Sequence, residues 1–574
     1  MRQFGGSWTN LIRLIMKAIS GYALVCNILA LAAIVAALLT PEGTWAYLLL
    51  ILAALVFLVS PVLAVIGRLR GGEPIRLLMG EGALPRILLG LTAMMMGVDD
   101  GSRTSVIITC ALLCLLVLGE ISLRSTVNLA LPQVANIPGW KVPVPSTVLA
   151  NWFFGANTIA ILLTGLSAML GFTAIPAFAL AATSLALAIA MAAQAVRYLY
   201  FRGRFEANLP KILNSFEPVF AFHWQAPAGT AYQAAMWLPY LKRLDRPYFI
   251  LVRTAPNFDE VAKLTDAPII LRNRLEDLDS VVCPSLKTVF YANTAVRNSH
   301  MIRFPHLTHI QLNHGDSDKI ASVSPTFRQY DRNFVAGQAA IDRFAIHGVE
   351  TKAEQFVIVG RPQLESVQVA STPISQVAEP VVLYSPTWSG FYEDSDYSSL
   401  PAGTKIVQAL LDRGCTVIFR PHPYARKHPG NSAACDEVIS LLTQSAKDTG
   451  RAHVFGPAAE TEMSVFECFN ASDAMISDVS SLVSDYLISE KPFAMVAVSA
   501  HGEQFLAEFP MAKAAYVMDA TRAGDLTGVD TCLDGLLGLD PKLAERRAVR
   551  TYYLGDATPS ESAERFLQRA GSFL

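Results

Sequence analysis

Apolar runs long enough to cross a bilayer fill the first 200 residues, and they constrain the fold more than any other feature of the chain. A helix needs roughly 20 apolar residues to span the hydrocarbon core. Gly21–Thr40, Thr44–Gly67, Thr104–Ser122, Val148–Leu170 and Ala174–Val196 meet that length. The stretch Ala83–Val98 is shorter and contains Arg86, so it reads as a sixth span or a re-entrant piece. Basic clusters sort the sidedness. Arg2, Arg13 and Lys17 precede the first run, Arg68, Arg70, Arg76 and Arg86 follow the second, and Arg197, Arg202 and Arg204 follow the last. Positive charge marks the cytoplasmic side. An even number of crossings then separates Arg86 from Arg197, which makes Ala83–Val98 a span and puts Asp99-Asp100 outside. The first run is long and followed directly by a second, so no cleaved signal peptide is expected. Glu120 is one of few ionisable residues within the spans, which disfavours a transporter and suggests an anchor, or a platform for a lipid-linked substrate.

From about Asn214 the pattern changes to short apolar runs alternating with amphipathic stretches. Pro218–Phe222, Tyr248–Val252, Thr288–Tyr291, Thr308–Leu312, Asn333–Ala336 and Phe356–Val359 form one series of expected strands. Val381–Ser385, Thr416–Phe419, Ala474–Ile476 and Pro492–Val496 form a second, after the mostly polar segment Glu365–Pro380. Strands alternating with helices imply parallel sheets, so two series imply two doubly wound α/β domains. The expected division is a membrane domain over 1–204, an acceptor-side domain over 205–370 and a donor-side domain over 371–574, with Asp540–Leu574 as helices packing back across the seam. Ligands of such sheets bind beyond the carboxyl ends of the strands. The chain has no G-x-G-x-x-G after its first strand and no P-loop, which argues against dinucleotide and P-loop ATP chemistry. Its net charge of −2 gives no reason to expect a nucleic-acid partner. The eight cysteines contain no C-x-x-C pair, so neither disulfides nor structural zinc are expected.

Chemistry-bearing residues gather just after the expected strands. Ser477-Asp478 and Ser480-Ser481 lie at a strand-to-helix junction, where hydroxyls and helix N–H groups suit a phosphate; Ser and Asp are also ordinary N-caps. His314-Gly315 follows Thr308–Leu312, and Gly315 lets a ligand approach the backbone. Arg361 follows Phe356–Val359, and Thr387 follows Val381–Ser385. Arg420 and His422 follow Thr416–Phe419, with His422 clamped between prolines as a natural anion site. A metal at His306, His309 and His314 is disfavoured by their spacing, and Glu393, Asp394 and Asp396 read as a solvated loop.

Taken together, N-H-G-x-x-x-K at Asn313–Lys319, G-R-P at Gly360–Pro362, L-Y-S-P-T-W at Leu383–Trp388, R-P-H-P at Arg420–Pro423 and I-S-D-V-S-S-L-V-S-D-Y at Ile476–Tyr486, followed by Lys491-Pro492, resemble the CDP-glycerol glycerophosphotransferase family of teichoic-acid primases and polymerases. The resemblance covers roughly Phe205–Leu574 and leaves the membrane half outside. It implies a GT-B-like fold that takes CDP-glycerol, passes glycerol phosphate to an acceptor hydroxyl and releases CMP. It further implies that His314 and His422 are catalytic. The substrate-binding set is then Gly315, Lys319, Arg361, Thr387, Arg420, Ser477, Asp478, Ser480, Ser481 and Asp485. In this scheme His314 takes the acceptor's proton, Arg420 and His422 hold the pyrophosphate, and Asp478 orients a histidine or binds glycerol hydroxyls. The family's commoner W-H-G-T-P-x-K is altered here to Asn313, Asp316 and Ser317. No cofactor is called for, and a divalent cation is left open as an addition. Expected partners are a polyprenyl-linked or polymeric acceptor and the lipid bilayer. The competing readings are a sugar transferase using a nucleotide sugar and lipid acceptor, and a non-catalytic membrane scaffold for polymer assembly.

Overall fold

The computed structural model describes residues 27–39, 44–45, 48–49, 51–55, 83–95, 103–143, 146–170, 175–315, 323–390 and 396–574. Two compact units emerge: residues 1–132 with 141–209, and residues 133–140 with 210–574.

The first unit is helical. Its helices α1 (Ala83–Met95), α2 (Arg103–Ala130), α3 (Val148–Leu170) and α4 (Ile175–Phe216) are apolar over most of their length, the charges of α4 beginning at Arg197. Among the described residues, three helices are long and apolar enough to cross a membrane: Val106–Ala130, Val148–Ser167 and Ile175–Phe216. Asn27–Leu39 and Ala83–Ala93 are shorter apolar helices. Leu115, Leu118, Ile189 and Val196 point outward, more than half exposed, as lipid-facing residues do. Much of the first two expected spans, together with Asp99 and Asp100, lies outside the described residues.

Arg86 requires a correction. It was counted as a cytoplasmic loop charge, yet it sits in α1 fully buried, bonded to Glu120 of α2 at 2.7 and 2.8 Å. Asn157 of α3 donates to the same carboxylate at 2.7 Å, and the guanidinium lies over the Phe154 ring. A charge neutralised inside a helix bundle carries no information about sidedness, so Arg86 drops out of the parity count.

The second unit holds two sheets. In the first, β1 (Val134–Ala135), β2 (Phe220–Trp224), β3 (Tyr248–Val252), β4 (Ile269–Leu271), β5 (Thr288–Tyr291), β6 (Thr308–Gln311), β7 (Arg332–Val335) and β8 (Phe356–Ile358) lie in the order β1-β4-β3-β2-β5-β6-β7-β8. All pair in parallel except β1, whose Val134 faces Ile270 in antiparallel register. That strand comes from the stretch between α2 and α3, which the sequence reading gave to the membrane domain. Asn136, left-handed at φ 55°, secures it by donating to the Thr265 and Ala267 carbonyls.

In the second sheet, β9 (Val381–Ser385), β10 (Thr416–Phe419), β11 (Ala474–Ser477), β12 (Phe493–Ala497), β13 (Tyr516–Ala520) and β14 (Leu526–Thr527) run β10-β9-β11-β12-β13-β14, parallel up to β13. The direction in which successive strands are added reverses between β2 and β5 in one sheet and between β9 and β11 in the other, and crevices open at such switch points. The last helix, α5 (Pro559–Gly571), crosses back onto the first sheet, as its sequence suggested. Phe566 packs against Trp237, with ring centroids 5.2 Å apart, and against Phe334. The carbonyls of Phe573 and Leu574 accept bonds from Thr288 and Lys287. The unit is thus a GT-B-like pair of Rossmann-type sheets closed by its own C-terminus.

Candidate active site

The switch point of the second sheet is built by backbone contacts to hydroxyls and one carboxylate. Asp478, fully buried, accepts the Thr387 N–H at 2.9 Å, the Ser399 N–H at 2.9 Å and the Ser399 hydroxyl at 2.9 Å. Ser477 donates to the Ser385 carbonyl at 2.6 Å, and Ser385 in turn donates to the Arg420 carbonyl. The His422 N–H reaches the Pro386 carbonyl. Three loops, after β9, β10 and β11, are therefore stitched into one surface. Asp478 does this by holding the backbone of Thr387 and Ser399 and the Ser399 hydroxyl. Ser480 has the extended backbone of an N-cap but makes no capping bond, so its hydroxyl is turned to other use, 3.4 Å from that of Ser477.

His422 stands over this surface. Its Nδ1 accepts the Tyr424 N–H at 3.1 Å, and the rings of Trp388 and Tyr424 flank it. A nitrogen that accepts from a backbone N–H carries no proton. The neutral ring therefore holds its proton on Nε2 and presents a donor.

His314 is set the opposite way. Its Nδ1 lies 3.0 Å from the Ala292 carbonyl, which can only accept, so Nδ1 holds the proton and Nε2 is left basic. The crowding of protein atoms around it, with Arg361 nearby, lowers its pKa from the ordinary value and keeps the ring neutral. Its backbone is pinned from the preceding residue. Asn313 is left-handed at φ 60°, a conformation asparagine tolerates, and its carbonyl accepts the Trp237 indole N–H. Gly315 faces Ser481: a Cβ added at Gly315 would stand 3.4 Å from the Ser481 hydroxyl. The histidine-bearing end of the first sheet and the serine-bearing end of the second thus meet in one cleft.

Three expected substrate ligands are otherwise engaged. Arg361 forms a buried two-pronged pair with Asp485, at 2.7 and 3.1 Å, across the seam between the sheets. Gly360, at φ 74°, supplies the turn that aims it. The Arg420 guanidinium donates to the carbonyls of Ala459 and Met463, behind the strand ends rather than beside His422. These residues hold the cleft's walls in place, where the sequence reading had them on substrate. Lys319, Asp316, Ser317, Glu393 and Asp394 lie outside the described residues. His309 is buried between the Tyr291 hydroxyl and the Phe304 carbonyl, away from any metal triad, and among the described residues no three His, Cys, Asp or Glu side chains converge as a metal site. Trp388 and Tyr424, as the flanks of His422, were missed as a pair. The only sequence signal for them was aromatic residues next to the motif prolines.

The second sheet's motifs coincide with a known family. Residues 366–501 match the model of CDP-glycerol:poly(glycerophosphate) glycerophosphotransferase. The matched stretch covers about a quarter of the chain. It contains Thr387, His422, Asp478 and the serine cluster, while His314 and Arg361 lie before it. The teichoic acid ribitol-phosphate primase of Bacillus spizizenii is 24% identical over 191 residues, 31% of this chain and 44% of that enzyme. The match therefore spans less than half of that relative's length. Among solved structures, the wall teichoic acid polymerase TagF soaked with CDPG aligns over 65% of this chain and 94% of its own, at 13% identity and a TM-score of 0.40. The MnaA–UDP structure from S. aureus aligns over 62% and 96%, at 12% identity and a TM-score of 0.42. Scores that low transfer no residue roles to this chain.

Proposed function

We propose that this chain is a membrane-bound transferase that moves glycerol phosphate from CDP-glycerol to a hydroxyl of a lipid-linked surface-polymer precursor, releasing CMP. One observation carries the reading: two histidines on meeting strand ends, fixed by backbone groups in opposite tautomers, one a base and one an acid. The acceptor oxygen attacks the glycerol-bearing phosphorus while its proton passes to Nε2 of His314. The bond from that phosphorus to the bridging oxygen breaks, and the electron pair leaves on CMP. The Nε2–H of His422 hydrogen-bonds the departing phosphate and supplies its proton. Gly315, Thr387, Ser480 and Ser481 line the cleft around the phosphates. Ser477 and Asp478 act one layer deeper, by holding those loops. Phosphoryl transfer depends on positioning and charge neutralisation, and a cation such as Lys319 fits the second role.

The apolar helices fit an enzyme whose acceptor is anchored in lipid. We place the transferase unit on the cytoplasmic side, where CDP-activated donors are made and where Arg197, Arg202 and Arg204 would follow the last span. The test is CMP release by the purified full chain given CDP-glycerol and an undecaprenyl-linked acceptor. Consumption of a UDP-sugar, with CDP-glycerol untouched, would replace this reading with a sugar transferase.

A further inference from the structure

The first sheet carries a second concentration of chemistry, on the same edge as His314. Arg253 directly follows β3 and Arg272 directly follows β4, while Arg297 lies on the loop after β5. Arg253 is fully buried, yet its guanidinium bonds to carbonyls alone among oxygen partners, those of Arg272, Asn273, Arg274 and Arg297. Buried charges ordinarily have a charged partner. The nearest strong neighbours of Arg253 instead include Arg297 and Arg303, opposed by Asp277, and burial with Arg297 draws its pKa down to about 10. His300 accepts from Arg253 through Nδ1 and faces the same three guanidinium groups. Arg297 spends one nitrogen on Arg253 and Asn273. Arg303 is neutralised by Asp279 at 2.6 Å, and Glu276 adds a further negative charge. Arg274 is exposed, and its guanidinium has no partner among the described residues. The sheet edge therefore stores excess positive charge, with the Arg274 guanidinium exposed and Arg297 half-buried against Asn273.

This edge is wired to the catalytic histidine. The Ala292 carbonyl that fixes His314 begins the loop that carries Arg297, and Gln225 holds that loop by accepting the Arg297 N–H. Arg297 follows β5, one strand spacing of about 4.8 Å from β6, and Arg274 follows β4, four spacings or roughly 19 Å away. A linear acceptor can bridge that distance with a hydroxyl at one end and a phosphate at the other.

We propose that Arg274 and Arg297, backed by the buried charge of Arg253, form an anion subsite for a phosphate of the acceptor, separate from the donor cleft. The proposal rests on the transferase reading above and names what its acceptor must carry: a phosphodiester or pyrophosphate about 5–19 Å from the attacking hydroxyl. Binding should weaken with salt, as phosphate recognition by arginine does.

The experiment uses the full chain in detergent, with Arg274→Gln and Arg297→Gln singly and together; Arg274 is exposed, and because Arg297 is half-buried and holds Arg253 and Asn273, circular dichroism checks that each variant keeps its fold. Calorimetry with a short poly(glycerol phosphate) oligomer should show about tenfold weaker binding in the double variant, while binding of CDP stays within twofold. Equal oligomer affinity in wild type and double variant would overturn the subsite. Loss of association with phosphatidylglycerol vesicles, with oligomer binding unchanged, would also overturn it by assigning the charge to a bilayer headgroup. CMP release from CDP-glycerol is measured separately. A chain that binds the oligomer through these arginines but never turns over CDP-glycerol would refute the donor assignment and leave the subsite standing.

Discussion

The two sheets of the transferase unit meet at one cleft but build their edges from opposite materials. The second sheet's edge is a net of hydroxyls and a single carboxylate, Asp478, saturated by backbone N–H groups and the Ser399 hydroxyl. The first sheet's edge is lined with guanidinium groups whose partners are mostly carbonyls. A saturated carboxylate fixes loops in one shape, and an underneutralised arginine cluster attracts anions. On the proposed function, the difference separates a rigid donor surface from an acceptor surface that recognises charge. His314 stands on the second kind and His422 on the first, so the reaction needs both edges in register.

The largest effect should come from emptying that register. His314→Ala should lower CMP release by about 100- to 10,000-fold, the usual range for a general base, with less effect on donor binding. Next is the net itself. Asp478→Ala leaves three buried donors unsatisfied at about 1–3 kcal/mol each, and should abolish CDP-glycerol binding in calorimetry while the helical unit keeps its circular dichroism. Breaking the pair across the seam, by Asp485→Ala, leaves Arg361 buried and uncompensated. It should cost about 3–5 kcal/mol in denaturant unfolding, and a reversed pair (R361D with D485R) should restore part of it. The smallest effect is a pH slope. His223, buried beside Arg253 in the first sheet, has its pKa pushed down to about 3, chiefly by burial and then by that arginine. The unfolded chain binds its proton near 6.5 and the folded chain does not, so stability falls as pH drops from about 6.5 toward 3. The slope should approach about 1.4 kcal/mol per pH unit, and His223→Phe should flatten it in thermal melts.

Much of this was legible in the chain. Tyr248–Val252, Thr288–Tyr291, Val381–Ser385 and Thr416–Phe419 are read with the bounds they have in the structure, because fully buried parallel strands are continuous apolar runs between turn residues. The Val134–Ala135 strand was invisible, since two residues carry no periodicity and the strand exists only through its neighbour β4. The site motifs stand out by chemistry and position, but the contacts their side chains make do not. A sequence shows that Arg361, Asp485, Arg420 and Asp478 sit at strand ends or on the adjoining helix. It does not show that Arg361 and Asp485 bind each other or that Arg420 turns backward onto Ala459. Arg86 failed for the same reason: a charge beside an apolar run looks like a flank until its buried partner, Glu120, is located 34 positions away.

The most direct test of the two-histidine cleft is the pH profile of kcat/KM for CMP release from CDP-glycerol, in wild type and in His314→Ala. The account predicts an acid limb below pH 6.5, because the protein atoms crowding the ring and Arg361 lower the His314 pKa from that value and the base is lost only when the ring protonates. That limb should vanish in the variant, along with most of the rate. An unchanged limb and a near-normal rate in His314→Ala would contradict it.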